Sequence, residues 1–379
     1  MRTEKFEVFS DEKDIRLDGD DVSNDDGKIS QPFDPLKVRV ETKNAQMDAL
    51  IKRIKNNEIE LSPKFQRRSD VWGEDRQSRL IESMLIKIPL PAFYVDATND
   101  DKWLVIDGLQ RLTAINRFVI EQSLSLSSLE FLMECQGKKF SELPRSFQRR
   151  IEETDIVIHQ IKAGTPDDVK YIIFRRINTG GEPLSSQEIR HALNQGEFVS
   201  FIEELAESKE FIKATDNGVS PRRMDDQECV LRFMAFTMSP PEKYDGYDFD
   251  LFLNNIMKEG NTLPKNKIYE YGARFRRAME VSRKIFGNKA FRKFNVHGKR
   301  YSVNKALFEA VSVNIGNLKH EHQELLIKKR NDVVERMREL IEEDKDFDSS
   351  ISQGTGSIKK VRYRFSAVKT TLEEIINAD

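Results

Sequence analysis

The chain has 379 residues and a mass of 44.1 kDa, a length that calls for two or three domains rather than one. Hydrophobic residues make up 38% and charged residues 33%; no apolar run approaches the roughly 18 residues of a membrane span, and two cysteines, Cys135 and Cys229, exclude a disulfide scaffold or a cysteine-based zinc site. The net charge of −2 taken alone argues against a polyanion partner, yet it averages unlike segments: residues 1–35 carry −6, the remainder +4, and residues 264–300 within that remainder +10.

The first residues hold no apolar signal-peptide core, so a reducing cytoplasm is the expected compartment. The acid-rich stretch to residue 35 reads as a disordered arm. Met47, Leu50, Ile51 and Ile54 share one face at helical spacing and predict a helix over 42–58. A segment with Pro63, Phe65, Gln66 and Arg67 follows, then a second helix over 74–86, ended by Pro89 and Pro91. Phe93-Tyr94-Val95 and Trp103-Leu104-Val105-Ile106 read as short strands. The latter runs through Asp107-Gly108 into a helix whose apolar side is Leu112, Ile115, Phe118 and Val119. Ile156 to Ile161 reads as another strand.

Thr165-Pro166-Asp167-Asp168 is a helix start, with a cap, a proline and early acids. Val169, Ile172, Ile173 and Ile177 give its buried face, and Asn178-Thr179-Gly180-Gly181 stops it. Ser185 to Glu188 forms a capping box for the next helix. Beyond it the pattern is mostly helical, with a charged helix at about 320–342 and a Ser/Gly loop over 349–357. These elements predict an α+β chain of three parts: the acidic arm 1–35, a mixed α/β domain over 36–165, and a mostly helical domain over 166–379.

Chemistry concentrates at Ile106 to Thr113. A strand delivers a tight turn onto a helix N-terminus, where unpaired N–H groups and the helix dipole favour an anion. Gly108 allows close backbone approach to a ligand, and Arg111 adds a fork suited to phosphate. An equally plain reading has Asp107 capping the helix and Arg111 pairing with an acid. Phe174-Arg175-Arg176-Ile177-Asn178 places cations at a helix C-terminus, which that end favours in any case. Gln66-Arg67-Arg68 with Trp72 is a third cluster. In the basic block, Arg276, Arg277, Arg292 and Lys293 are interleaved with aromatics, a nucleic-acid footprint or a solvated helix face whose rings point to the core. The five histidines are isolated or out of phase, and no metal site is expected.

Phe65-Gln66-Arg67, Trp72 and Ile88-Pro89-Leu90-Pro91, then Asp107 to Thr113, then Phe174 to Gly181 with Leu184-Ser185 and Glu188 occur in one order. In that order they resemble the N-terminal domain of GmrSD-type restriction endonucleases over roughly 42–195. The resemblance implies a fold related to ParB and sulfiredoxin, in which the segment matching Asp107–Arg111 binds nucleotide phosphates. In GmrSD-like proteins the matching Asp-Gly-Gln-Gln-Arg motif is tied to nucleotide binding and hydrolysis; here Leu109 replaces the first Gln. No cysteine stands in the turn, so sulfiredoxin chemistry is not expected.

On that resemblance, a nucleoside triphosphate, with Mg²⁺ as an option, is the expected cofactor. Asp107, Gln110 and Arg111 are the candidate catalytic residues, and Gln66, Arg67, Gly108, Thr113, Arg176 and Asn178 the candidate nucleotide contacts. DNA is the expected second partner, in defence against foreign DNA, with nucleotide state gating DNA or partner binding. The alternatives are a ParB-like DNA-binding module without turnover, or a nuclease. Many relatives append a His-Asn-His nuclease, but no histidine here has Pro three positions on, so if DNA is cut, a separate subunit or an unrecognised site is expected to do it.

Overall fold

The computed structural model describes residues 37–59, 61, 72–177, 184–246, 248–295 and 300–378. The acidic arm and Leu36 lie outside these, as do Gln66, Arg67 and Asn178. The described chain forms two compact units: residues up to Gln195 with Arg222–Met224, and Gly196–Pro221 with Asp225 onward.

In the first unit the elements run β1 (Val40–Gln46), α1 (Met47–Lys55), α2 (Glu74–Leu85), β2 (Phe93–Asp96), β3 (Leu104–Asp107), α3 (Leu109–Ile115), α4 (Arg145–Glu152), β4 (Asp155–Ile161), α5 (Asp167–Ile177) and α6 (Ser186–Leu193). The sheet order is β1-β4-β2-β3. β1 is antiparallel to β4, β2 parallel to β4, and β3 antiparallel to β2 with a bulge at Tyr94/Val95. The alternation expected of half-buried strands holds: Phe93, Val95, Val105, Ile156 and Ile158 join one core with Met47, Leu50, Ile81, Met84, Leu112, Ile115 and Phe118.

The helix expected over 42–58 begins only at Met47, because residues 40–46 are a strand at the sheet edge. Exposure on both sides of β1 leaves no apolar alternation to read. α3 continues into a π-helical turn over Asn116–Ile120, keeping Phe118 and Val119 in the core. The capping box at Ser185 forms as read: its Oγ accepts the Glu188 N–H at 3.1 Å, and the Glu188 carboxylate accepts the Ser185 N–H at 2.6 Å. Residues 222–224 are tied to this cap, with the Ser185 hydroxyl donating to Arg223 O and Arg223 paired to Glu188 at 3.3 Å. The first unit therefore includes α5 and α6 and runs past residue 165.

The second unit is predominantly helical: α7 (Glu197–Ala206), α8 (Lys209–Ala214), α9 (Asp225–Met238), α10 (Phe249–Thr262), α11 (Lys265–Phe286), a hairpin of β5 (Arg292–Phe294) and β6 (Arg300–Val303), α12 (Lys305–Asn317), α13 (His320–Lys328), α14 (Arg330–Glu343), α15 (Lys345–Ser352) and α16 (Ile358–Asn377). The helix expected at 320–342 breaks at Lys329 into α13 and α14. Ser349 to Ser352, read as loop, close α15, where the Asp344 carboxylate caps the helix through the N–H groups of Asp346 and Phe347. α9 and α12 are buried almost all round, which places them at the centre. Among the described residues no helix is long and apolar enough to cross a membrane.

Candidate functional site

β3 is an edge strand whose last residue, Asp107, leads into the turn. Gly108 has φ +100°, and a Cβ there would lie 2.5 Å from a Phe93 ring carbon, so the left-handed backbone and the close approach both require glycine. The first N–H used inside α3 is that of Leu112, to Gly108 O at 2.9 Å, and no side chain caps the helix. The N–H groups of Leu109, Gln110 and Arg111 therefore point out of its N-terminus.

Arg111 is buried, and its donors turn inward: Nη1 donates to Pro91 O, and Nη2 to Ala92 O at 3.1 Å and to Asp107 Oδ2 at 2.6 Å. The guanidinium also lies 4.5 Å from the Phe93 ring centroid. The plain alternative read from sequence, Arg111 paired with an acid, is what the structure displays, and the acid is Asp107 itself. Burial pushes the Asp107 carboxyl above the usual aspartate range, opposed by the Arg111 charge and by the Gly108 N–H. Its side chain keeps 23% exposure, so this carboxylate is reachable from solvent.

Gln110 is half-buried, and its Oε1 accepts the Trp72 N–H at 3.2 Å. The Trp72 carbonyl accepts from the Gln77 amide, Gln77 Oε1 accepts from Arg117 Nη1 at 2.9 Å, and Arg117 Nη2 reaches Glu74 at 3.0 Å. Trp72 is thus gripped at both ends of its backbone beside the turn. Gln77 and Arg117 escape a motif reading. The signal in the sequence is a polar residue on the apolar stripe of α2, four residues before Ile81.

Thr113 is half-buried one turn along α3, and Arg176 is exposed in the last turn of α5. Among the described residues no group of three or more His, Cys, Asp or Glu side chains could hold a metal ion.

The basic residues of the second unit fare unevenly. Arg276 is paired to Glu204 at 2.8 Å and Glu210 at 3.2 Å. Lys293 meets Asp348 at 2.8 Å and Ser352 Oγ at 2.6 Å. Arg292 is 4% exposed and donates to Tyr301 O at 2.9 Å and Thr215 O at 2.7 Å. Arg277 stays exposed, with His320 Nδ1 at 2.9 Å. The aromatics Phe275, Phe286, Phe291 and Phe294 are core residues.

With this turn in view, a family comparison fits the geometry: the model described as GmrSD restriction endonuclease, N-terminal domain, matches residues 48–194. The chain carries a GmrSD N-terminal domain. Its limits run from the second residue of α1 to just past α6 and so take in the whole Asp107–Thr113 segment. A search of curated proteins returns no match.

Proposed function

We propose that this GmrSD N-terminal domain binds a nucleoside triphosphate at the Asp107–Arg111 turn and hydrolyses it. The observation that supports the reading most is the uncapped start of α3, whose three outward N–H groups follow a left-handed glycine directly behind a reachable carboxylate. Backbone N–H groups and the helix dipole suit phosphate oxygens. Arg111, with both Nη atoms bonded to Pro91, Ala92 and Asp107, acts as a positioning residue that stiffens the turn. Asp107, held above the usual aspartate range, is suited to take a proton from an attacking water. Gln110 anchors Trp72 through its oxygen and leaves its amide nitrogen for phosphate or water.

Gln66, Arg67, Thr113, Arg176 and Asn178 are proposed as further nucleotide contacts. A Mg²⁺ ion would rest mainly on phosphate oxygens, since Asp107 is the one carboxylate of the turn. The defence role, with nucleotide state gating a DNA or partner contact, is proposed from the family.

Hydrolysis assays test this. Asp107→Asn is expected to lower turnover about 10²-fold or more, the usual worth of a general base. It should not weaken nucleotide binding, because it removes a negative charge from beside the phosphates. Turnover equal to wild type would remove Asp107 from the chemistry. The second reading, DNA binding without turnover, is favoured by the exposed cations Arg277, Arg283 and Lys284 on α11. DNA affinity with no nucleotide hydrolysis would select it.

A further inference from the structure

Thr42, His159 and Tyr94 stand in one row across β1, β4 and β2. The Tyr94 and His159 rings lie 4.5 Å apart, tilted by 30°, and the Thr42 hydroxyl meets His159 Nδ1 at 2.9 Å. Side chains alternate along β2, so Tyr94 faces away from the buried Phe93 and Val95. Both rings of the pair are half-buried, and Thr42 is exposed. The polar contact with Thr42 occupies one imidazole nitrogen and fixes the ring, leaving Nε2 for an outside partner. Tyr94 is also the register partner of Asp107 on the neighbouring edge strand. The row therefore runs from a half-buried aromatic pair to the residue that opens the phosphate turn.

A partly exposed pair of rings packed face against face leaves an outer ring face on which a base can stack, because every base has a π-face. The charged groups of this sheet face are already engaged: Asp107, beside Tyr94, is paired to Arg111 at 2.6 Å, and Asp96, two residues along β2, meets Lys170 at 3.4 Å. A flat, weakly charged, aromatic ligand suits such a row better than an anion does. We infer that the Tyr94–His159 pair is a nucleobase platform, with Thr42 orienting the imidazole, and that it takes the base of a nucleotide whose phosphates lie at the Asp107–Arg111 turn. This inference rests on the proposed nucleotide reading of that turn and adds the site where the base is held.

The test is a titration of the full chain with ATP, GTP, CTP, UTP, inorganic tripolyphosphate and the four free nucleosides. Wild type is expected to bind at least one nucleotide more tightly than tripolyphosphate. Tyr94→Leu should weaken that nucleotide about tenfold, the order of one lost base–ring stack, and leave tripolyphosphate unchanged. Tyr94→Phe should retain the preference, and His159→Leu should weaken it, which serves if the first variant does not fold. A preference that survives in Tyr94→Leu, or an equal loss of nucleotide and tripolyphosphate, overturns the platform. If wild type binds a nucleoside but not tripolyphosphate, and Tyr94→Leu abolishes that binding, the platform stands and the phosphate reading falls. If no nucleotide or nucleoside binds, both fall.

Discussion

Each unit of the molecule contains an acid and an arginine four residues apart in sequence, joined by a short ion pair, and the two pairs have different lives. Asp107 and Arg111 meet at 2.6 Å at the end of an edge strand, where the carboxylate keeps 23% exposure. Glu228 and Arg232 meet at 2.8 Å inside the helical unit, where Arg232 also reaches Glu309 at 3.3 Å. Glu309 is shared with Arg364, and Lys305 closes the other end on Asp225 and Glu228. Glu309 and Arg364 have no exposure at all. The network satisfies its own members, with Arg364 also donating to Ser350 O and Thr355 O, and reaches solvent only at its Asp225 end. Buried charge by itself marks a structural core here. What sets the first pair apart is its position on a turn with free N–H groups and a path to water.

That contrast is sharpest in the stability of variants. Glu309→Gln should cost about 3–5 kcal/mol of unfolding free energy, because two arginines lose the charge between them in a dry core. Thermal or denaturant unfolding reads this, and a loss under about 1 kcal/mol would show that water reaches the network. Gly108→Ala should cost about 1–3 kcal/mol for its left-handed backbone and more for the Phe93 contact. A stable variant would mean that the turn can relax and is not the rigid cradle described.

Much of the first unit was legible in the residues, and the reasons are local. The strand read at 103–106 and observed one residue later, the turn at Gly108 and the cap at Ser185 each follow from short-range pattern and side-chain chemistry. β1 was not legible, because its pairing with β4 spans more than a hundred residues and its side chains are polar on both faces. The inward turn of Arg111 was half legible: an acid four residues away was visible, but the carbonyls of Pro91 and Ala92 were not. Arg292 shows the limit best. Its sequence neighbours are basic and aromatic, yet its partners Thr215 and Tyr301 come from other segments, so a charge count over 264–300 overstates the exposed charge.

Smaller effects refine the comparison. Burial alone would raise the Glu82 carboxyl. The N–H groups of Glu130, Leu132 and Phe131, with the Arg79 charge, outweigh it and hold the carboxyl below the usual glutamate value. A depressed value stabilises the fold above the ordinary glutamate range, and the contribution is lost as pH falls through the folded value. Glu82→Gln should therefore flatten the acid limb of the stability curve, and an unchanged limb would remove these contacts from the account. If the helical unit binds DNA, as the second reading has it, Arg277→Glu and Lys284→Glu should each reduce the salt dependence of that binding by about one unit of slope. Arg276→Gln and Lys293→Gln, whose charges are already paired, should change it less. Equal effects at all four positions would show that the pairs open on binding.

The central claim is that the start of α3 receives phosphate, and Gln110→Glu tests it most directly. Glutamate at this position keeps an oxygen for the Trp72 N–H and suits a helix N-terminus, so stability should hold or rise. It also places a negative charge where the phosphates would sit. Calorimetric titration should then show binding of nucleoside triphosphate and tripolyphosphate weakened by about tenfold or more, against an unchanged or higher melting temperature. Wild-type affinity in Gln110→Glu would contradict the account.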